Sequence, residues 1–183
     1  MEAEAKKAFN DKYVDDYYGN YQKELEDALE RMKNDWLRIE EKYFEATDRL
    51  FSNPWPEGKY ICYLSIFNRN PRFIETKEFQ AFYKHPATTN YVCAHEMLHF
   101  MFYDYVGKNF SEESKNLGEK VIWKLSEIFN DIVLRLPESV AITGQKDPAF
   151  YAETEQELND AVKIWKEAKT VKVFVAQYFK LTK

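Results

Sequence analysis

The sequence predicts an α+β fold that is mostly helical, in which a small antiparallel β-hairpin or sheet packs against two central helices. Three observations lead to this prediction. Stretches towards both ends repeat their apolar residues every three to four positions, which is the period of an amphipathic helix. Two runs, 59–67 and 73–83, are rich in β-branched and aromatic residues and have the composition of strands. Two apolar segments that follow, 91–105 and 117–136, have the length and composition of buried helices.

The composition bounds the function classes. A single domain is expected for 183 residues, with 1–53 as an N-terminal helical segment, 59–136 as the core and 137–183 as a C-terminal segment. Only five glycines, and no phosphate-binding fingerprint, argue against a nucleotide-binding loop. A net charge of −5 offers no basic footprint for nucleic acid, and no apolar run is long enough for a membrane span. Without a signal-peptide pattern, a cytoplasmic protein is expected.

The N-terminal segment predicts two helices, a shorter one over 2–18 and an amphipathic one over 21–50. Their charges are expected to form a solvated face, although the segment could instead cover the active site as a lid or pro-segment. Residues 53–58 contain two prolines and a glycine, which predict a loop and an internal boundary.

The two strand-like runs differ in polarity. Residues 59–67 are nearly all apolar, which is typical of a strand buried on both faces. Residues 68–72 predict a turn, and the more charged run 73–83 follows it. We therefore expect the two runs to pair as a hairpin, with the second run at the edge of the sheet.

Residues 95–99 read His-Glu-Met-Leu-His within an apolar helix that Thr88, Thr89 or Asn90 can cap. On a helix His95 and His99 lie one turn apart on the same face, so both imidazoles can bind one metal ion. Glu96 is turned by about 100° from His95, where it can take a proton from a water that the metal activates. Burial of all three side chains costs desolvation energy unless something compensates, which a metal would do. Imidazole ligands favour Zn²⁺ as the metal. The alternative to a metal site is a core helix with two incidental histidines.

A third protein ligand is expected on the helix predicted over 117–136. No histidine follows His99, so a carboxylate must supply this ligand unless an upstream histidine does. Glu127 is the first candidate because Trp123 and Leu134 flank it on what would be a second buried stripe.

Two further residues stay open as alternative ligands. Glu119 lies near the start of the same helix, where the helix dipole favours an acid in any case. His85 lies in the connector before the motif helix, and it could bind the metal, polarise a substrate carbonyl or simply be exposed.

Asp131, one turn after Glu127, could accept a hydrogen bond from a ligand histidine. Cys62 and Cys93 are predicted to be small core residues without a metal.

The motif at 95–99, followed by a helix that carries a glutamate and then an aspartate four residues later, resembles the gluzincin metallopeptidases of the thermolysin type. The likeness covers about residues 59–136. The element Ser126-Glu-Ile-Phe-Asn130-Asp is similar to the Asn-Glu-x-x-Ser-Asp-like element of that family, with Ser126 in place of the usual Asn and Asn130 in place of the usual Ser. The spacing from the motif to Glu127 is longer than in the family, and Glu119 would match that spacing better.

This resemblance implies that His95, His99 and Glu127 bind Zn²⁺, that Glu96 is the general base and that Asp131 supports a ligand. It also implies a peptide or protein substrate, cleaved by water attacking a carbonyl that zinc polarises, with Glu96 passing the proton to the leaving amine. An edge strand over 73–83 would pair with extended substrate. For the oxyanion, the candidates are His85 or a tyrosine of the C-terminal part.

A second class of function stays open, a non-catalytic metal-binding interaction protein on a peptidase-like scaffold. The small size and the charged N-terminal helices suggest it, whereas the intact Glu96 favours the enzyme.

At the C-terminal end, 138–150 predicts a loop, 154–168 an amphipathic helix, and 170–181 a helix or a strand. The oligomeric state is not predicted.

Overall fold

The computed structural model describes residues 2–146 and 155–182. Over these residues the chain forms eight helices and three short strands, which confirms the mostly helical α+β class. The helices are α1 Glu2–Leu37, α2 Glu40–Phe51, α3 Thr89–Asn109, α4 Ser111–Leu117, α5 Glu119–Leu134, α6 Pro137–Thr143, α7 Glu155–Ala168 and α8 Val171–Leu181. The strands are β1 Ile61–Ser65, β2 Arg72–Phe73 and β3 Glu78–Phe82.

The N-terminal segment has a kink at Tyr21, close to the predicted boundary between its two helices, and a break after Leu37 that was not predicted. Helix α1 is kinked at Tyr21, where φ of −119° and ψ of 16° leave the helical region. The amphipathic helix predicted over 21–50 is interrupted after Leu37, and α2 begins at Glu40. Trp36 spans this break because its indole Nε1 donates to Glu40 Oε1 at 2.9 Å. This hydrogen bond therefore links the end of α1 to the start of α2 across the interruption.

The sheet corrects the predicted hairpin. Its strand order is β1-β3-β2, and β1 pairs with β3 in parallel, from Ile61 opposite Glu78 to Ser65 opposite Phe82. Strand β2 pairs with β3 in the antiparallel direction. The run 73–83 is not one strand, because residues 74–77 form a turn in which Lys77 has a positive φ of 57°. The charges at this position therefore mark the turn between β2 and β3, and they do not mark an edge strand.

Strand β3 lies in the centre of the sheet, and β1 lies at an edge. Phe79 and Ala81 of β3 are buried, as expected for the inner face of a central strand. In contrast, Ile61 and Tyr63 of β1 are exposed, so β1 is not buried on both faces as predicted. A parallel pair of strands needs a crossover connection, and here the excursion through β2 supplies it.

Helix α3 runs through the core and carries the 95–99 motif. Of the three predicted cap residues, Thr88 caps the helix, because its side chain accepts a hydrogen bond from the Tyr91 backbone N–H at 3.2 Å. The helix is buried over most of its length, as its apolar composition predicts. Phe129 of α5 is the centre of an aromatic cluster in the same core. Its ring contacts those of Phe51, Phe102, Trp165 and Phe174.

The C-terminal part is more helical than predicted. Pro137 does not introduce a loop but begins α6, because proline at the first turn of a helix lacks only a donor that would be unpaired there. The loop predicted over 138–150 is therefore wrong for 138–143, and residues 147–150 of it lie outside the described residues. The amphipathic helix is confirmed as α7, and 171–181 is a helix. In the part of the chain that is described, no helix combines the length and the apolarity needed to cross a membrane.

Candidate metal centre

A line of four rings runs along α3. Tyr91, His95, His99 and Tyr103 recur at every fourth residue, so they share one face of the helix. The ring centroids of His95 and His99 lie 4.8 Å apart, and each histidine has a tyrosine ring beside it. His99 is fully buried, whereas the His95 side chain is 21% exposed. The two imidazoles therefore form a pair that is closed at His99 and open towards solvent at His95.

Helix α5 brings Glu127 against this pair. Its Oε2 atom lies 3.2 Å from His95 Nε2 and 3.5 Å from His99 Nε2. The two Nε2 atoms are themselves 3.2 Å apart. Asn130, on the same helix, joins the two elements because its Nδ2 donates to the His95 carbonyl at 2.9 Å. These three side chains, His95, His99 and Glu127, form a group of possible metal ligands.

The spacing of these three atoms fits a tetrahedral zinc site. Zinc binds histidine nitrogen and carboxylate oxygen at about 2.0–2.2 Å, and the edge of such a tetrahedron measures about 3.3–3.6 Å. The observed sides of 3.2, 3.2 and 3.5 Å are close to these edges. Three mutual contacts of this length cannot all be hydrogen bonds, because each Nε2 carries at most one proton. The donor set and its geometry therefore suit an ion, with one tetrahedral position left open.

The electrostatics keep two of the three groups in the form that binds a metal. Burial lowers the pKa of His99 to about 3, despite its hydrogen bond with Glu127, so its ring is neutral at pH 7. Burial raises the pKa of Glu127, but hydrogen bonds from both imidazoles outweigh this and hold it well below its usual value. For His95 burial lowers the pKa, and the contacts with Glu127 and Glu96 raise it by more. His95 is thus the ligand at which a proton competes most strongly with a metal.

Glu96 lies beside the three candidate ligands and outside the triangle that they form. It is buried, and this burial raises its pKa although the charges of His95 and Arg72 act in the opposite direction. A carboxylate with a raised pKa is better suited to accept a proton near neutral pH than an ordinary surface glutamate.

Arg72 is a residue of this site that sequence reasoning missed. From β2 it reaches both acidic side chains: its Nη2 donates to Glu127 Oε1 at 2.8 Å, and its Nη1 lies 3.4 Å from Glu96 Oε2. In the sequence Arg72 ends a polar turn, which predicts a solvated side chain. No local signal could have found it, because its partners come from two helices far along the chain.

Asp131 pairs with Arg135 on its own helix. Its Oδ1 accepts from Arg135 Nε at 3.1 Å, one turn further along α5. Among the described residues, its buried Oδ2 has no hydrogen-bond partner, and the same holds for the Nδ1 atoms of His95 and His99. Arg135, four residues away on the same helix face, competes for the carboxylate, so the support of a ligand histidine by Asp131 stays a prediction.

The alternative ligands lie outside the triangle. Glu119 is exposed at the first position of α5, and it is not part of the ligand group found in the described chain. Trp123, predicted to lie on a buried stripe with Glu127, is 48% exposed, whereas Leu134 is buried. The Glu127 side chain is nevertheless only 11% exposed, and it contacts both histidines and Arg72.

His85 is half-buried in the connector before α3, and it also falls outside the ligand group within the described residues. Its Nδ1 accepts from the Ala87 backbone N–H at 3.1 Å. Burial lowers the pKa of His85, and the nearby charge of His95 lowers it further. A neutral ring with Nδ1 as acceptor carries its proton on Nε2, so His85 offers one N–H donor in the neighbourhood of His95.

The two cysteines are free thiols. Cys93 is buried on α3 and Cys62 is partly buried on β1. Contact with Cys62, together with burial, raises the pKa of the Cys93 thiol. Neither belongs to the ligand group found in the described residues.

Comparison with known proteins adds no family: no family model, no curated protein and no solved structure matches this chain.

Proposed function

We propose that this protein is a zinc-dependent hydrolase, and specifically a small metallopeptidase. The observation that carries the proposal is the triangle formed by His95 Nε2, His99 Nε2 and Glu127 Oε2, with sides of 3.2–3.5 Å. Three protein ligands with an open fourth position are the pattern of catalytic zinc, whereas structural zinc has four protein ligands. The buried Glu96 beside this triangle supplies a base.

In the proposed reaction the metal ion and the side chains of the protein have different roles. Zinc held by these ligands supplies Lewis acidity, which lowers the pKa of water and polarises a carbonyl. Glu96 accepts the proton of the attacking water and returns it to the leaving amine. Burial raises the pKa of Glu96 and so strengthens its basicity, and the neighbouring charges of His95 and Arg72 oppose this rise.

The parallel pairing of β1 and β3 revises how an extended peptide would bind. Strand β3 cannot accept a further strand because β1 and β2 pair with its two edges. Strand β2 carries Arg72, which contacts Glu96 and Glu127 of the candidate metal centre. The sheet edge that borders the site is therefore the outer edge of β2. We place an added substrate strand there, where main-chain hydrogen bonds would hold the peptide.

The test combines zinc content with peptide hydrolysis in wild type and in Glu96→Gln. We expect about one zinc per chain in both proteins, since Glu96 is not a ligand. Hydrolysis of a mixture of unstructured fluorogenic peptides should fall by about 10²–10⁴-fold in the variant, which is the usual contribution of a general base. A wild type that takes up no zinc would refute the proposal.

The alternative is a non-catalytic metal-binding interaction protein, and the contact between Arg72 and Glu96 favours it. This contact occupies the carboxylate that would act as the base. In that case wild type and Glu96→Gln would bind zinc equally, and neither would cleave any peptide of the mixture.

A further inference from the structure

Arg72 joins the two carboxylates of the candidate centre. Its side chain is only 15% exposed, and those of Glu96 and Glu127 are 5% and 11% exposed. Arg49 and Glu138, which pair at the surface, are both 59% exposed, and such exposed pairs contribute little. A guanidinium as buried as that of Arg72 has few competing water molecules, so its hydrogen bonds constrain its partners much more strongly.

The two oxygens of Glu127 have different partners. Oε1 accepts from Arg72 Nη2, whereas Oε2 faces His95 Nε2 and His99 Nε2. A free carboxylate can rotate and offer either oxygen, or both, to a metal. While Arg72 holds Oε1, only Oε2 faces the two histidine Nε2 atoms.

We propose that Arg72 is a positioning residue of the metal centre, which fixes Glu127 as a ligand through one oxygen and keeps Glu96 beside that ligand. This inference rests on the proposed function. Arg72 acts through the two carboxylates, and the planar fork of a guanidinium suits this task because it presents two donors in fixed directions.

A simpler role for Arg72 predicts the opposite result. A cation beside a divalent ion repels it, so an arginine that merely neutralised two buried carboxylates would weaken zinc binding. Its removal would then tighten zinc binding. If Arg72 positions Glu127, its removal weakens zinc binding, because partners that orient a ligand typically contribute about 10–100-fold to metal affinity.

The experiment measures zinc affinity by chelator competition in the full chain, for wild type, Arg72→Met and Arg72→Lys. Arg69→Met is the matched control, since Arg69 is exposed and lies three residues before Arg72 in the same connection. We expect zinc binding about 10–100-fold weaker in Arg72→Met, an intermediate loss in Arg72→Lys, which has no planar fork, and no change in the control. Visible spectra of the cobalt-substituted proteins should also change in both Arg72 variants, since Glu127 then contributes a second oxygen or loses its orientation.

Equal or tighter zinc binding in Arg72→Met, with an unaltered cobalt spectrum, would overturn the positioning role and leave the proposed function intact. A wild type that binds neither zinc nor cobalt would refute the proposed function itself, and the inference with it. Should Arg72→Met fail to fold, the same comparison between Glu96→Gln and Glu96→Gln/Arg72→Met decides the point, because one buried negative charge has then been removed.

Discussion

The side-chain contact between Glu127 and His95 lies beside a hydrogen bond that ties their two helices together. Their side chains meet at 3.2 Å between Oε2 and Nε2, and Asn130, three residues after Glu127, donates its side-chain N–H to the His95 carbonyl. Helix α5 thus supplies the third candidate ligand and, through Asn130, also holds the helix that carries the first two. Substitutions on α5 therefore test both the third ligand and the contact that holds the two helices together.

The first prediction concerns the ligand set. Glu127→Ala should lose most of the zinc that the wild type carries, because two histidines alone hold zinc weakly. Glu119→Ala and His85→Ala should retain about one zinc per chain, since both residues lie outside the triangle of ligand atoms. Elemental analysis of the purified proteins measures this directly. Zinc lost on substitution of Glu119 or His85, with Glu127→Ala unaffected, would move the third ligand and remove the resemblance to gluzincins.

The second prediction concerns Asn130. Its side chain is fully buried, and its Nδ2 donates to the His95 carbonyl. Asn130→Ala removes this bond between α3 and α5, so we expect the free energy of unfolding to fall by about 1–2 kcal/mol. Zinc affinity should fall as well, because Glu127 and the histidines lie on opposite sides of the lost contact.

Urea unfolding of the metal-free protein and chelator competition measure these two effects separately. Asn116→Ala, at an exposed position of α4, is the control and should change neither. An Asn130→Ala variant as stable as this control would show that the packing of apolar side chains alone holds the two helices in register.

The third prediction concerns Asp131. Its hydrogen-bonded oxygen is paired with Arg135, so Asp131→Asn should leave zinc affinity within about threefold of wild type. A carboxylate that oriented a ligand histidine would instead contribute about 10–100-fold. Chelator competition on the two proteins distinguishes these cases. A loss of tenfold or more would mean that Asp131 turns towards a histidine when the ion is bound.

Sequence reasoning succeeded where the signal is local. The spacing of His95 and His99 places both on one helix face whatever the rest of the fold does, and Thr88 caps that helix through its own side chain. Glu127 was also found, because a ligand pair needs a third member and the choice of helix was narrow. Each of these inferences uses residues within one helix or a simple count of ligands.

It failed where distant partners decide the outcome. The pairing of β1 with β3 depends on a turn at 74–77 whose residues have no strong turn signature, so the sequence predicts one strand where the structure has two. Arg72 looks like a surface residue until the helices bearing Glu96 and Glu127 are folded against it. Asp131 differs from these cases, because the side chain that holds it, Arg135, lies one turn away on the same helix.

The fourth prediction concerns Tyr43, which ties α2 to the motif helix. Its buried hydroxyl donates to the Ala94 carbonyl at 2.9 Å. Loss of this bond in Tyr43→Phe should lower the free energy of unfolding by about 1 kcal/mol at pH 7.

Alkaline pH should reverse that difference. Burial raises the pKa of Tyr43 well above its usual value of 10.0, so the folded protein keeps the proton that the unfolded chain releases. The stabilisation from Tyr43 is therefore complete below pH 10 and is lost as the pH rises further, by about 1.4 kcal/mol per pH unit. Tyr43→Phe has no such proton to lose, and the other tyrosines titrate equally in both proteins. Urea unfolding from pH 8 to pH 11.5 should show the variant overtaking the wild type above about pH 10.5; parallel curves would mean that the Tyr43 hydroxyl ionises as readily in the folded protein as in the unfolded chain.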